Sequence, residues 1–202
     1  MSSPEMKRRI REREEQMASN VSEYYDLYSN GIQSYFEYDT TIQLKEVEDQ
    51  RGWWGRRNDL RFTHAKNLQN GNVTIRSDVL PDTLCRSVNF KEKYDWEIAE
   101  GEKVFAKLRC QKAYHITEEG DSIVVWFTPS IPVMDGPEDF AGTPGLIMAV
   151  EAPAFNYIAE SVELGDFSIP KQTIAPAGCL KESAFREKVR DEMIRRYINR
   201  EE

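Results

Sequence analysis

The sequence predicts an α+β domain that is predominantly antiparallel β, with a curved or half-barrel-like sheet and a helix at each end. Three observations lead to this fold class. Asn30-Gly31 and Asn70-Gly71 each separate two β-prone segments, which is a strong signal for a β-hairpin. Strand-like segments follow one another without the intervening helices of parallel β-α-β units. Residues 183–199 carry an apolar stripe at helical spacing.

The elements follow in order along a single predicted domain, residues 1–202. Ser3 and Pro4 suit the start of a helix, so a peripheral N-terminal helix is predicted over residues 1–19. The antiparallel sheet is expected over residues 20–170. Within it, the AEGE and EEGD segments (99–102 and 118–121) predict turns, and a strand pair is expected around Pro153. A C-terminal helix is predicted over residues 181–200.

Composition limits the classes of function. The chain has 202 residues, 40% of them hydrophobic, and a net charge of −8. An acidic chain is a poor partner for nucleic acid, whose binding depends on neutralising phosphates. No apolar run approaches the roughly 20 residues of a transmembrane helix. The N-terminus is polar from its first residues and shows no signal peptide, which by itself leaves cytoplasmic and mature secreted proteins equally open.

The residues that carry chemistry give little sign of an enzyme. P-loop, dinucleotide-binding and nucleophile-elbow motifs are absent, and the spacing of histidine and cysteine predicts no metal site and no cofactor. Cys110 lies five residues before His115, and in a strand this odd spacing places the two side chains on opposite faces. A thiol enzyme would therefore need His64 to approach Cys110 through tertiary structure. A structural cysteine is the favoured interpretation.

Other polar and aromatic residues are candidates for binding a ligand or partner. Trp53 and Trp54 suit either stacking on a ligand or covering the sheet, and the second interpretation is favoured. The acidic residues of the segment VMDGPEDFAG are expected to be solvated turn carboxylates rather than calcium ligands. The candidate contact residues are Trp53, Trp54, Tyr24, Tyr25, Asp135, Glu138 and Phe140.

Residues 126–151 contain two apolar strand segments separated by a corner rich in proline and glycine. The sequence WFTPSIPVMDGPEDFAGTPGLIMAVE resembles the signature of the GLPGLI family, from Trp126 to Ile147, with Thr143 in place of the motif's leucine. The likeness extends to Tyr94 and Trp96 and to the Cys110-Lys112-Ala113 segment. The structural motif comprises Pro129, Pro132, Gly136, Pro137, Gly142, Pro144 and Gly145, which end a strand and permit tight reversals.

The resemblance implies a compartment and a kind of function. The family is secreted or envelope-associated, so a periplasmic, outer-membrane-associated or secreted protein is expected, with its signal peptide already removed. Such a location permits a disulfide, with Cys85–Cys110 as the pair expected and Cys179 left free. The family supplies no established catalytic activity.

The leading hypothesis is therefore a non-enzymatic binding or accessory protein. The implied partner is an outer-membrane transport protein or another envelope protein. Two alternatives remain: a carrier of an apolar small molecule or lipid in a half-barrel, and a thiol-dependent hydrolase that uses Cys110.

Overall fold

A computed structural model describes residues 23–39, 62–77, 85–153, 155–166, 168–170 and 179–198. The predicted N-terminal helix over residues 1–19 and the Trp53-Trp54 pair lie outside these residues. The elements are β1 (Tyr25–Ser29), β2 (Gln33–Tyr38), β3 (Phe62–Asn67), β4 (Asn72–Ser77), β5 (Cys85–Asn89), α1 (Phe90–Lys93), β6 (Glu97–Phe105), β7 (Leu108–Ile116), β8 (Ser122–Thr128), β9 (Leu146–Ala152), β10 (Phe155–Ile158) and α2 (Glu182–Ile198).

The described strands form two open antiparallel sheets rather than one. Sheet 1 has the order β1-β2-β3-β4-β5, and sheet 2 has the order β10-β9-β8-β7-β6. Every neighbouring pair is antiparallel and consecutive in the chain. The predicted fold class, mainly antiparallel β with some helix, is confirmed. The sequence predicted one curved sheet, and its hairpin pattern gives no sign that the strands divide into two sheets.

Both Asn-Gly hairpins form as the sequence predicts. Gly31 and Gly71 have φ values of +80° and +83°, which glycine adopts at little cost. The Asn30 side chain accepts hydrogen bonds from the backbone N–H groups of Ile32 and Gln33. Each turn therefore fixes the register of the strands that it joins.

One predicted turn is wrong. Residues 99–102 form no reversal but a bulge inside β6, where the pairing with β7 shifts between Ala99 and Glu102. The chain reverses instead at Ala106 and Lys107, whose φ values are +46° and +68°. A two-residue hairpin turn with both φ values positive normally contains Asn or Gly, so the sequence gives no signal for it here.

The main core lies between the two sheets. Val73 and Ile75 of sheet 1 pack in one cluster with Val125, Phe127 and Val150 of sheet 2. Strand β9 is nearly continuous in apolar residues because both of its faces are covered. Its second face lies in a smaller cluster with Ala159 and Val162 of the segment after β10.

The predicted C-terminal helix is present as α2, Glu182–Ile198. It packs beside β5, where the buried Phe185 contacts the ring of Phe62 and lies under the guanidinium of Arg86. None of the helices among the described residues is long and apolar enough to cross a membrane.

Candidate functional site

The corner at residues 129–145 lies against the core instead of projecting into solvent. Asp135 is 0% exposed, Asp139 is 4% exposed and Phe140 is 3% exposed. The prediction of solvated turn carboxylates is therefore wrong, and Asp135 and Phe140 are not accessible as contact residues. Sequence reasoning missed this burial because their partners lie far away in the chain.

Asp135 pairs with Lys66 of β3, and both side chains are fully buried. The Lys66 Nζ atom lies 2.7 Å from Asp135 Oδ1 and also donates a hydrogen bond to the backbone oxygen of Gly136. Asp135 Oδ1 accepts a second hydrogen bond from the Gly136 N–H at 2.8 Å. Two buried charges are tolerated only when they are paired and hydrogen-bonded, so the pair anchors the corner to sheet 1.

The other two carboxylates of the corner also have defined partners. Asp139 accepts hydrogen bonds from Lys93 at 2.6 Å and from the Tyr94 hydroxyl at 3.0 Å. Burial raises the pKa of Asp139, but its polar neighbours, Lys93 first among them, together outweigh burial and hold the pKa below its usual range. The half-buried Glu138 accepts a hydrogen bond from Tyr157 of β10 at 2.7 Å, and burial raises the pKa of its carboxyl. Together with the Lys66–Asp135 pair, these contacts join the corner to both sheets.

His64 lies on β3 two residues before Lys66 and is 4% exposed. Burial lowers its pKa from 6.5 to about 3, with Asp139 opposing this change and Lys66 adding to it. The imidazole is therefore neutral in the folded protein at neutral pH. It packs edge-on against the ring of Phe36.

This histidine should make the protein less stable in mild acid. The unfolded chain binds a proton near pH 6.5 and the folded chain does not, so stability falls as the pH drops from about 6.5 towards 3. For one group, the loss between pH 7 and pH 5 is about 2 kcal/mol. Urea unfolding at both pH values should show this loss in the wild type and a smaller one in His64→Gln. An equal loss in both proteins would contradict the assignment.

The two candidate tyrosines occupy the edge of sheet 1. Tyr25 stacks on Phe36 with ring centroids 4.9 Å apart and meets Tyr157 edge-on. Its hydroxyl donates to Glu23 at 2.6 Å, and burial is the main cause of its raised pKa. Tyr24 is half-buried beside it. Tyr25 therefore serves the contact between the sheets.

The expected disulfide pairing is wrong. Cys85 is bonded to Cys179, with Cα atoms 4.9 Å apart, and Cys110 is a free, buried thiol. Leu180 pairs with Arg86 and donates a hydrogen bond to the Cys85 carbonyl, which places Cys179 beside β5. Cys110 lies in the other sheet, packed with Trp126 and Met148.

Cys110 has the surroundings of a structural residue. Burial raises the pKa of its thiol, which disfavours the reactive thiolate. His115, on the opposite face of β7, contacts Tyr94 and Trp96 instead. His64 belongs to sheet 1. Within the described part of the chain, no three His, Cys, Asp or Glu side chains are grouped to hold a metal ion.

Thiol counting gives a direct check of these assignments. The unreduced protein should contain one free thiol, Cys110, which reacts slowly with a thiol reagent in the native state and quickly after denaturation. Mass spectrometry should locate the label at Cys110. Labelling of Cys179 without reduction would contradict the Cys85–Cys179 bond.

The outer face of sheet 2, the face turned away from sheet 1, is concave. Lys103 of β6 pairs with Glu151 of β9 at 2.7 Å, although β7 and β8 lie between those strands. In a flat sheet the two strands would be about 14 Å apart, with their side chains perpendicular to the sheet. The sheet must therefore curve, and the bulge in β6 places Gly101 against the ring of Trp126.

A cluster of three side chains, Lys103, Trp126 and Glu151, lies across this concave outer face. The Lys103 ammonium lies 4.4 Å from the centre of the Trp126 ring, and the Trp126 Nε1–H donates to Glu151 at 3.0 Å. The hydrogen bond from Lys103 is the main cause of the lowered pKa of Glu151. Beside the cluster lies an open pocket of about 390 Å³, lined by Lys103, Phe105, Ala149, Glu151, Asn156 and Ile158. Sequence reasoning identified none of these residues, because they are brought together only by the curvature.

Comparison with known proteins gives a match of part of the chain to a family model and a likeness to solved structures. Residues 86–149 match the family model described as "Protein of unknown function (Porph_ging)". The matched segment contains α1, most of sheet 2 and the whole corner, which are the parts that carry the motif described above. No curated protein matches the chain.

Two solved structures share the fold. The structure of PNGF-II in space group C2 is 12% identical with a TM-score of 0.53, and the match covers 83% of this chain and 29% of that one. The structure of PNGF-II in space group P21 is 11% identical with a TM-score of 0.54, covering 81% and 28%. The chain thus spans less than a third of those proteins, and at this identity the likeness concerns the fold alone.

Proposed function

We propose that this protein is a non-enzymatic binding or accessory domain of the cell envelope or of the secreted fraction, and that its partner contacts the concave outer face of sheet 2. The observation that carries this proposal is the open pocket of about 390 Å³ on that face. Its rim combines Ile158, which is 64% exposed, with the polar side chains of Lys103 and Asn156. Apolar anchors beside polar groups are typical of surfaces that recognise a partner.

Two further observations support the envelope or secreted location. The Cys85–Cys179 disulfide suits an oxidising compartment. The GLPGLI-like signature from Trp126 to Ile147 lies wholly inside the segment that matches the family model. An outer-membrane transport protein or another envelope protein is the partner that this setting favours.

Site-specific photo-crosslinking tests the proposed surface in cells of the native host. A photo-reactive residue at Ile158 should give a defined adduct with one envelope protein, identified by mass spectrometry. The matched control is Ile32, which is 49% exposed in the turn between β1 and β2 of sheet 1. The same adducts from both positions, or none from Ile158, would overturn the proposal.

A second candidate is the carriage of an apolar small molecule, because Phe105, Ala149 and Ile158 give the same pocket an apolar lining. Titration with a fluorescent long-chain fatty acid should then show saturable binding that Ile158→Asp weakens. A hydrolase based on Cys110 is not proposed, because its buried thiol packs against Trp126 and Met148 rather than a histidine.

A further inference from the structure

We propose that Lys66 and Asp135 are joined by an intramolecular isopeptide bond between the lysine Nζ and the aspartate Cγ. The two side chains come from β3 of sheet 1 and from the corner, far apart in the sequence. Nζ lies 2.7 Å from Oδ1, and both side chains are 0% exposed. A nucleophile and a carboxyl carbon are thus held next to each other where water has no access.

The corner fixes the aspartate for attack. The Gly136 N–H donates to Oδ1 at 2.8 Å, while Oδ2 is buried and has no hydrogen-bond partner among the described residues. The backbone of Asp135 is held on both sides, since its N–H donates to the Val133 carbonyl and its carbonyl accepts from the Ile147 N–H, both at 2.8 Å. A Cβ on Gly136 would lie 2.8 Å from the Cβ of Ile147, so the glycine allows this close packing.

The reaction needs no additional reagent. One proton passes from the Nζ ammonium to Oδ2, which leaves a neutral amine and a carboxylic acid. The amine attacks Cγ, and the Gly136 N–H stabilises the negative charge that develops on Oδ1. The Cγ–Oδ2 bond then breaks. Of the three Nζ protons, one stays on the amide nitrogen and two leave with Oδ2 as water.

Burial favours the product over the ion pair. The pair is neutral overall but requires two charges to remain in an environment without solvent, whereas the amide carries no charge. Exclusion of water also opposes hydrolysis of the new bond. Two other ion pairs among the described residues lack this burial: Lys93 in its pair with Asp139 is 45% exposed, and Lys103 and Glu151 are 47% and 45% exposed.

The bond would give the corner a covalent link to sheet 1. The Cys85–Cys179 disulfide already ties β5 to the segment before α2. Together the two links would hold the outer strand and the middle of sheet 1 to the rest of the chain. The isopeptide bond would persist under reducing conditions, which distinguishes it from the disulfide.

Mass spectrometry of the complete, reduced wild-type protein tests the proposal. The intact mass should be lower than that of the sequence by one water molecule. Trypsin should fail to cleave after Lys66, and residues 62–76 should be recovered joined to residues 113–171, which contain Asp135 and no internal lysine or arginine. Fragmentation of this species should place the link at Lys66 and Asp135.

Three results would overturn the proposal. The first is the full sequence mass with separate tryptic peptides 62–66 and 67–76. The second is a loss of water with normal cleavage after Lys66, which would indicate a succinimide at Asp135-Gly136 instead. The third is the same loss of water in Asp135→Ala. Lys93 provides the internal control, because its solvent-accessible pair with Asp139 should remain unlinked.

Discussion

Replacement of Lys66 by methionine is expected to lower the free energy of unfolding by at least about 3–5 kcal/mol. Methionine keeps most of the volume of the lysine stem but removes the ammonium. Asp135 then remains fully buried without the charge that compensates it. Loss of the proposed isopeptide bond acts in the same direction. Equilibrium urea unfolding at pH 7 measures the change.

Two further variants separate the buried charge from general effects of losing a lysine. Lys103→Met also breaks an ion pair, but this pair is about half exposed and should cost no more than about 1 kcal/mol. Lys66→Met combined with Asp135→Leu should recover part of the lost stability, because no charge is left in the core. If Lys66→Met alone were as stable as Lys103→Met, the buried pair would not be what anchors the corner.

Gly145→Ala is expected to cost more than about 3 kcal/mol or to prevent folding. A Cβ at this position would lie 2.3 Å from the backbone oxygen of Thr128 and 2.7 Å from its carbonyl carbon. Backbone atoms at the end of β8 cannot turn aside as a side chain can, so the corner and the strand would have to separate. Thermal unfolding followed by circular dichroism measures the loss.

Gly120→Ala is the matched control for this effect. Gly120 has a φ of +87° but no atom within 4 Å of the added Cβ, so only the backbone conformation is penalised, by about 1–2 kcal/mol. Gly142, with a φ of +98°, should behave in the same way towards alanine. Equal losses at Gly145 and Gly120 would mean that close approach to Thr128 is not what requires glycine in the corner.

Thr143 departs from the GLPGLI signature, and the structure shows how the corner accommodates this residue. It stands where the signature has leucine and is fully buried. Its hydroxyl donates to the Gly145 carbonyl at 2.8 Å. The threonine thus supplies a hydrogen bond within the turn itself.

Several turns, strands and helices could be predicted from residues that are neighbours in the sequence. The Asn-Gly turns, the apolar strand Leu146–Ala152 and the C-terminal helix are each specified by residues close together in the chain. The hairpin at Ala106-Lys107 escaped prediction because neither residue favours a positive φ. There, strand pairing overrides local preference.

The sequence by itself therefore determined an antiparallel β domain, a rigid corner in its second half and the absence of a recognisable catalytic motif. Only the tertiary structure decided which polar residues meet. The corner carboxylates read as solvated turn residues until Lys66, Lys93 and Tyr157 are placed around them. The partner of Cys85 likewise depends on where the chain returns beside β5. A sequence pattern records the chemistry of neighbours along the chain, whereas burial and charge pairing depend on neighbours in space.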